Sequence, residues 1–556
     1  MSTASSSPAP SPRQSGPKSD RVCRNCRDGK KGCDKVLPVC SRCRKSGRVC
    51  VWQDDGDLLP RSASSASGSV RFESFMLGQQ QVLPGTPSYS VTADPLSGYM
   101  ASATPTLNPS MFASMDSATE DIHSFTLRCL VDILNHRQSV EHVVSQYFEG
   151  VNTWFTIVER ATFERQLEDM WLSPSAETAA LVLCMLLIVR TPNPNSVFGM
   201  GDGRYLSTKT ILGLVRSKVP LSMPLMQAEL LVAMYEFSHG MPQQAYMSVG
   251  TCYQMSRAFG WHSQVFWSEE HQRLRPDVLK LSSILWWAIV YVDCLVQVGY
   301  QEQKYPLHTS DVTSSFTVPF PEVFDQYLPD SLGFGLQSPG QNYPSGVVLD
   351  ANMDQIDGMV WPEASSAWYL SNVLQELSSG RSELGPYPPP PTAQRNVLSG
   401  AITAHTLDLY AGNWKDGDRI AAVGTNFIAL MKLNQPCLLH SVHAPSSMHQ
   451  DDSQYGINTI KSAIDAVQGE AVKVLQVSDL RLSKGGVAPC LAFTMYYASL
   501  LLISHGEGGL QYLNWLEKVE EMRKALQVLS GRWKIAEKYL NGLNIALNNR
   551  FGGYAT

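Results

Sequence analysis

The feature that most constrains this 556-residue chain is a cluster of six cysteines near its beginning. The spacing is Cys23-x2-Cys26-x6-Cys33-x6-Cys40-x2-Cys43-x6-Cys50, which is one three-cysteine unit written twice. The other six cysteines stand singly on apolar segments, where a cysteine is most often a small buried side chain; they are Cys129, Cys184, Cys252, Cys294, Cys437 and Cys490. The first twenty residues lack the apolar stretch of a signal peptide, so we expect a reducing compartment and thiols or metal ligands rather than disulfides.

The duplicated spacing predicts a zinc site with two metal ions. Zinc favours four thiolates in a tetrahedron, so two separate sites would need about eight sulfurs, and the cluster has six. Two zinc ions therefore require two bridging sulfurs, and the internal symmetry nominates Cys23 and Cys40. One zinc would be held by Cys23, Cys26, Cys33 and Cys40, and the other by Cys40, Cys43, Cys50 and Cys23. A single four-cysteine site with two spare thiols is the alternative, and the repeat disfavours it.

The charge of the cysteine segment differs from that of the whole chain. The net charge of the chain is −6, which by itself argues against a nucleic-acid binder. Residues 21–52, however, contain ten basic and two acidic residues, a balance of +8. The segment has too few apolar residues for a core, so we expect metal binding to supply its folding energy. A compact basic module is suited to binding phosphate. The basic residues between the cysteines argue against a metallothionein-like role in metal storage.

The segment VCRNCRDGKKGCDKVLPVCSRCRKSGRVCVW resembles the DNA-binding domain of fungal binuclear zinc-cluster transcription factors. The resemblance rests on the six cysteines together with Arg27, the Cys33-Asp34 pair, Pro38 and Trp52. In that family a short helix after the second cysteine enters the major groove and reads a trinucleotide such as CGG. The resemblance implies two Zn²⁺ ions as cofactors and double-stranded DNA as partner.

The same resemblance implies which basic residues contact DNA. Lys30 occupies the position of the family's base-contacting lysine. The residues implied to contact phosphates or guanine are Arg24, Arg27, Lys31, Arg42, Arg44 and Lys45. Gly29 and Gly32 stand where the family usually has Lys or Arg, which lowers the expected affinity for phosphate. Because the rest of the chain is acidic and should repel DNA, we expect the first 52 residues to make essentially all the contacts.

The rest of the chain is predicted to be helical after a long linker. Residues 1–20 and 53–120 are rich in Ser and Pro and predict a disordered tail and a disordered linker. From residue 121 to residue 556, apolar residues recur at helical spacing and predict one large all-helical domain. The predicted stretches are 121–150, 160–171, 176–190, 223–238, 244–260, 276–300, 366–380, 395–411, 417–433, 457–477, 486–505 and 511–546. Residues 324–365 predict a long loop, and Pro386–Pro391 predict a polyproline II segment. The fold class is therefore mostly α.

The helical region resembles the regulatory middle-homology domain of the same family. The motifs that carry this resemblance are Tyr147-Phe148 with Trp154-Phe155-Thr156-Ile157-Val158 and Phe163, then Gly250-x4-Met255-x4-Gly260-Trp261-His262, then Leu285-Trp286-Trp287-x3-Tyr291-x-Asp293. The favoured interpretation of the large side chains in these motifs is core packing. A domain of this size could also hold an effector pocket.

A heptad-like row of apolar residues lies near the end of the chain. Its members are Leu516, Val519, Met522, Leu526, Leu529, Trp533, Ala536 and Leu540. Such a row could form a dimeric coiled coil, but Ser530-Gly531 interrupts it, so packing within the domain is favoured. Residues 53–120 contain no heptads, which leaves homodimerisation open.

Other patterns are weaker. Cys437, His440, His443 and His449 could ligate a metal, but they are predicted to lie in a loop that would not fix their geometry. No phosphate-binding loop, nucleophile elbow or His-Glu-x-x-His motif is present, so the chain is not expected to be an enzyme. The longest apolar run has eleven residues, shorter than the roughly 20 needed to span a membrane.

These patterns together predict a nuclear, sequence-specific regulator of transcription by RNA polymerase II. Its other partners would be the transcription machinery or co-regulators, with no membrane involved. Family habit favours a pathway-specific activator of a metabolic gene cluster. Two rival hypotheses are an interaction protein with a purely structural zinc cluster and an enzyme fused to a zinc module.

Overall fold

The structure is a computed structural model of the chain, and it describes part of each of two compact units, Met1–Phe72 and Glu73–Thr556. The described residues are 26, 30–35, 40–45, 121–134, 137–193, 199–268, 271–272, 275–300, 305–313, 315–327, 362–379, 392–412, 419–440 and 450–552. The predicted tail, the predicted linker and the Pro386–Pro391 segment lie outside these residues. Helix α1, Ser41–Lys45, belongs to the first unit.

The described part of the second unit is built of helices, as the sequence predicts, with no strand among those residues. The helices are α2 Ile122–Leu134, α3 Arg137–Glu149, α4 Arg160–Leu172, α5 Ala176–Val189, α6 Gly203–Lys218, α7 Met223–Ser238, α8 Pro242–Ala258, α9 Pro276–Gly299, α10 Ser310–Thr313, α11 Pro362–Ser379, α12 Thr392–Ala411, α13 Ile420–His440, α14 Gln450–Gln476, α15 Asp479–Ser483, α16 Cys490–His505, α17 Trp515–Ser530 and α18 Lys534–Gly552. Short 3-10 turns lie at Val151–Thr153 and Pro321–Tyr327.

Local sequence signals fix where several helices begin. The side chain of Ser175 accepts a hydrogen bond from the amide of Thr178 at the start of α5. Asp202 does the same for the amide of Tyr205 at the start of α6. Helices α7, α8 and α9 each have a proline in their first two positions, where a missing amide proton costs nothing. These caps satisfy or remove amide donors that would otherwise lack partners.

The core is organised around helices that are buried on nearly every side. Every residue of α7 from Leu225 to Ser238 is buried, as is every residue of α5 except Glu177. Helix α7 packs against α5, α8 and α9, and α9 packs against α11, which packs against α13. Trp286, Trp287, Tyr291 and Met255 are all buried, which confirms that the aromatic and methionine motifs fill the core.

Helix α9 is apolar and long enough, by length and composition, to cross a membrane. However, 83% of its most apolar window is buried inside the domain. Its neighbours α7, α8 and α11 cover it, and it therefore serves as a central helix of the core.

A buried arginine joins the end of the domain to its beginning. Arg532 lies between α17 and α18, and its Nη1 and Nη2 donate to the carbonyls of Arg190 and Ile188 at 3.0 and 2.5 Å. These carbonyls belong to the last turn of α5 and to the residue that follows it, where no amide of the helix itself can reach them. A cation at a helix C-terminus also interacts favourably with the helix dipole. Arg190 in turn forms two hydrogen bonds to Asp202, the residue that caps α6.

The segment before α16 contacts the opening motif of the domain. The indole Nε1 of Trp154 donates to the carbonyl of Gly485 at 2.7 Å, and the indole of Trp533 donates to Val487 at 2.8 Å. The two indole rings meet edge to face with centroids 6.2 Å apart. The Trp-Phe motif near residue 154 is therefore a packing site for the last helices.

The apolar row predicted near the end of the chain packs within the domain. Val519, Met522, Leu526, Leu529, Trp533, Ala536 and Leu540 are buried, and only Leu516 is exposed. Their helices, α17 and α18, pack against α14 and α16. This confirms the interpretation of the row as core packing, with α17 and α18 separated at Gly531.

Some predicted boundaries are wrong. Helix α6 was not predicted, because its polar sequence lacks a clear apolar stripe; the Asp202 cap was the available signal. The predicted loop over 324–365 is too long, since α11 begins at Pro362 and a 3-10 turn ends at Tyr327. The stretch 121–150 is two helices. Helix α13 continues past the predicted end at residue 433 and carries Pro436 in its last turn.

The close approach of α3 to the loop before α16 generates a stability prediction. Gly150 is buried, and a Cβ at this position would overlap the backbone carbonyl of Lys484. We expect Gly150→Ala to lower the stability of the helical domain by about 1–3 kcal/mol, because the backbone of Lys484 cannot move aside cheaply. Thermal unfolding of the full chain measures this effect.

Gly213 in α6 is the matched control, since a Cβ there would meet nothing within 4 Å. Gly213→Ala should leave the melting temperature unchanged or raise it, because alanine is the better helix former. Equal melting temperatures for the two variants would contradict the proposed contact.

Candidate metal centre and nucleic-acid interface

Three cysteines of the predicted cluster converge in the first unit. The Sγ atoms of Cys26, Cys33 and Cys40 all lie within 4.8 Å of one another. The Sγ atoms of Cys26 and Cys40 are 3.7 Å apart. A tetrahedron with Zn–S bonds near 2.3 Å has S–S edges of about 3.8 Å, so the donors present fit zinc in both type and spacing. These are three of the four cysteines predicted for one zinc.

The second half of the cluster is built on α1. Its start is capped by Asp34, whose carboxylate oxygens accept from the amide of Ser41 at 3.0 and 3.3 Å. The amide of Cys43 donates to the Sγ of Cys40 at 3.4 Å, and the amide of Arg44 donates to the carbonyl of Cys40 at 3.0 Å. Cys40 and Cys43 are both buried. Of the six predicted ligands, Cys23 and Cys50 lie outside the described residues.

A left-handed residue, Lys30, lies in the first half of the cluster between Cys26 and Cys33. The residue has φ +47°, a conformation that side-chain-bearing residues seldom adopt. The amide of Lys31 donates to the carbonyl of Cys26 at 2.8 Å, which is the bond that closes a helical turn when the preceding residue is left-handed. The backbone that carries Lys30 is thereby tied to a metal ligand, and its side chain is exposed.

Five of the six described basic residues of the unit are exposed, and together they are called the basic face here; the sixth, Lys35, is half-buried. The exposed residues are Lys30, Lys31, Arg42, Arg44 and Lys45, whereas Cys26, Cys40 and Cys43 are buried. Arg24 and Arg27, also predicted to contact DNA, lie outside the described residues. The unit therefore combines buried thiols with exposed cations, and a cluster of exposed cations attracts a phosphate backbone.

A groove of about 500 Å³ runs between the loop and α1, lined by Gly32, Asp34, Ser41, Arg42 and Lys45. A Cβ at Gly32 would meet nothing within 4 Å. Gly32, which stands where the family usually has Lys or Arg, can therefore accept a side chain without a clash.

Asp34 was expected only as part of the Cys33-Asp34 pair, with no structural role. Its structural role is to hold the start of α1 against the loop that carries Cys33, by the two hydrogen bonds to Ser41. The available signal was an acidic residue in an otherwise strongly basic segment.

The weaker candidate ligands are not brought together among the described residues. Cys437 lies in the last turn of α13, not in a loop, and it is buried where Gly456 of α14 packs against it. His440 is the final residue of the same helix, and His443 and His449 lie outside the described residues.

The six isolated cysteines are buried in the helical domain, as predicted. Burial raises the pKa of the Cys184, Cys252 and Cys294 thiols well above the ordinary value, and raises that of Cys490 to about 12. These thiols stay protonated at neutral pH and are inert toward metals and oxidants.

Comparison with known proteins gives two matching families. The model of the fungal Zn(2)-Cys(6) binuclear cluster domain matches residues 21–56. The model of the fungal specific transcription factor domain matches residues 144–347, which include α4 to α9. The two matches fall on the thiol centre and on the helical domain.

Two curated proteins are similar to parts of the chain. Transcription factor BOA15 of Botryotinia fuckeliana is 26% identical over 136 residues, which cover 24% of this chain and 73% of that protein. Oleate activated transcription factor 3 of Kluyveromyces lactis is 44% identical over 52 residues, covering 9% of this chain and 7% of that protein.

A zinc-cluster domain followed by a regulatory helical domain defines one class of protein, and that class is not enzymatic. The converging thiols and both family matches, in this order along the chain, support a fungal Zn(2)-Cys(6) transcription factor.

Proposed function

We propose that this transcription factor acts in the nucleus and binds DNA sequence-specifically, with Lys30 reading a CGG-like half-site in the major groove. Two Zn²⁺ ions held by six cysteines would fix the basic face. The helical domain would control activity through the transcription machinery or co-regulators. The usual role of members of this family extends the proposal to activation of a pathway-specific metabolic gene cluster.

The observation that carries the proposal is the link between Lys30 and the thiol centre. A base-reading side chain must be held rigidly, because discrimination depends on bidentate or closely placed hydrogen bonds to base edges. The hydrogen bond from Lys31 to Cys26 ties the turn that presents Lys30 to a zinc ligand. Flexible lysines elsewhere on the face would supply affinity without sequence preference.

The rival function is an interaction module whose zinc cluster is only structural. The exposed cations favour the DNA-binding proposal, because they can neutralise backbone phosphates. Counterion release then predicts that the affinity falls steeply as the salt concentration rises. A protein-binding module with a neutral partner surface would show no such dependence.

Zinc content tests the two-metal proposal. We expect the full chain purified under reducing conditions to hold about two zinc ions, measured by mass spectrometry of the metal. Cys40→Ser should lose both ions, because Cys40 is proposed to bridge them, and DNA binding should be lost as well. Circular dichroism should still show the helices, because the helical domain has its own core.

The control is Cys129→Ser, which alters a buried cysteine of the helical domain. It should keep both zinc ions. One zinc per wild-type chain, with two cysteines of residues 23–50 reactive toward a thiol reagent, would instead support the single-site alternative.

The role of Lys30 is tested by its effect on specificity. Lys30→Ala should lower affinity for a CGG-containing duplex by about 1–3 kcal/mol and have a smaller effect on a scrambled duplex. Zinc content should not change. Fluorescence anisotropy at several salt concentrations measures both affinities.

Lys35→Ala is the matched control, because Lys35 also has a left-handed φ, +60°, and lies in the same loop. It removes the same charge, yet Lys35 is not among the proposed DNA contacts, so it should affect both duplexes equally. Equal losses of specificity in the two variants would contradict the assignment of base reading to Lys30.

Gly32→Arg tests whether a cation missing from the family pattern limits affinity. Since the position is open, the new side chain should add one phosphate contact. The slope of log affinity against log salt should then steepen by about 0.9. Affinity for both duplexes should rise in low salt, and weaker binding to both would show that Gly32 is needed for the approach of the backbone to DNA.

A further inference from the structure

A cavity in the helical domain lies between the beginning of α13, the end of α14 and the short helix α15. Its volume is about 320 Å³. The floor is apolar and formed by the buried side chains of Val423, Val474 and Val487. The rim carries three cations, Arg419, Lys473 and Arg481. An apolar floor beneath a few charged groups is the usual composition of a small-molecule site.

The charges around the cavity are unbalanced. Among the residues that the structure describes, its lining contains a single carboxylate, that of Glu470, which is buried. The carboxylate already accepts from Lys473 Nζ and from the Tyr410 hydroxyl, each at 2.7 Å. Burial and the nearby Glu470 raise the pKa of the Tyr410 phenol, so it remains a donor. Glu470 neutralises about one of the three cations, which leaves an excess of positive charge around the cavity.

The two arginines are held in place by part of their guanidinium groups. Arg419 Nη1 donates to the carbonyls of Leu409 and Tyr410 at 3.2 and 3.4 Å, and the group lies over the Tyr410 ring. Arg481 Nε donates to the carbonyl of Gly486 at 3.3 Å. Within the described chain, Arg419 Nη2 and both terminal nitrogens of Arg481 have no acceptor. Anchored guanidinium groups with unused donors are suited to carboxylate or phosphate, because less side-chain entropy is lost on binding.

We propose that this cavity binds a small organic dianion, with two carboxylates or one phosphate on a short aliphatic body. Arg419 and Arg481 hold the anionic groups, Lys473 stands at the entrance, and the three valines contact the aliphatic part. The inference is independent of DNA binding, because the residues that line the site belong to helices α13 to α15 and the segments next to them.

Thermal unfolding of the full chain tests the proposal, with glutarate as the dicarboxylate probe and inorganic phosphate as the probe without an aliphatic body. Ionic strength is matched with sodium chloride, since screening alone changes stability. Glutarate should raise the melting temperature saturably, as expected for a ligand that binds only the folded state. Phosphate should act more weakly, and the uncharged diol of the same chain length should have no effect.

Two variants locate the effect. Arg481→Gln and Lys473→Gln should each weaken the apparent affinity for glutarate by about tenfold or more, the loss typical of a charge-assisted contact. Lys524→Gln is the control, since it removes one exposed charge from α17, away from the cavity. It should bind glutarate as the wild type does.

Three outcomes would overturn the proposal. They are no saturable rise with glutarate, an unchanged glutarate affinity in both cavity variants, or an equal loss in Lys524→Gln, which would indicate a nonspecific charge effect. Since Lys473 is largely solvent-exposed, its variant remains informative even if Arg481→Gln fails to fold.

Discussion

The helical domain depends on one buried cation, the guanidinium of Arg532. It donates to the last carbonyls of α5 and stacks on the ring of Trp533 at 3.8 Å. Burial lowers its pKa to about 9, so it remains a cation at neutral pH and its charge must be offset by those carbonyls. A buried cation is costly unless it is hydrogen-bonded, and these bonds satisfy its two terminal nitrogens, while Nε has no acceptor among the described residues. Trp533 then meets Trp154, so the first and last helices share one core. The family match at residues 144–347 therefore covers only part of the folding unit.

The zinc-cluster unit reaches a defined structure by different physics. Among its described residues the buried apolar groups are cysteines alone, and they cannot supply the burial energy of a domain. Metal–thiolate bonds would replace the core, and the hydrogen bonds of Asp34 and Lys31 transmit that geometry to the surface cations. The chain thereby combines a strongly basic cysteine-rich segment with a remainder that is acidic in sequence.

Sequence was most informative where structure is determined locally. Cysteine spacing predicted the convergence of Cys26, Cys33 and Cys40, because ligands of one metal must meet whatever the intervening chain does. Apolar periodicity predicted α5, α7 and α9, but failed for α6, whose buried residues mix polar side chains with apolar ones. The contact of Arg532 with α5 could not be predicted, since no local pattern relates residues so far apart. The cavity proposed to bind a dianion could not be predicted either, because residues from three separate segments of the chain line it.

The long reach of Arg532 has a consequence for how the protein is made. The carbonyl that it caps in the α5 segment is synthesised 342 residues earlier. At about 5–20 residues per second, the ribosome needs roughly 20 to 70 s to add the missing arginine. During that interval the strongly apolar helix α5 lacks its hydrogen-bond partner Arg532. The cysteine-rich segment has already left the ribosome and can bind metal. The nascent chain would thus present a finished DNA-binding unit attached to a body that still requires protection by chaperones.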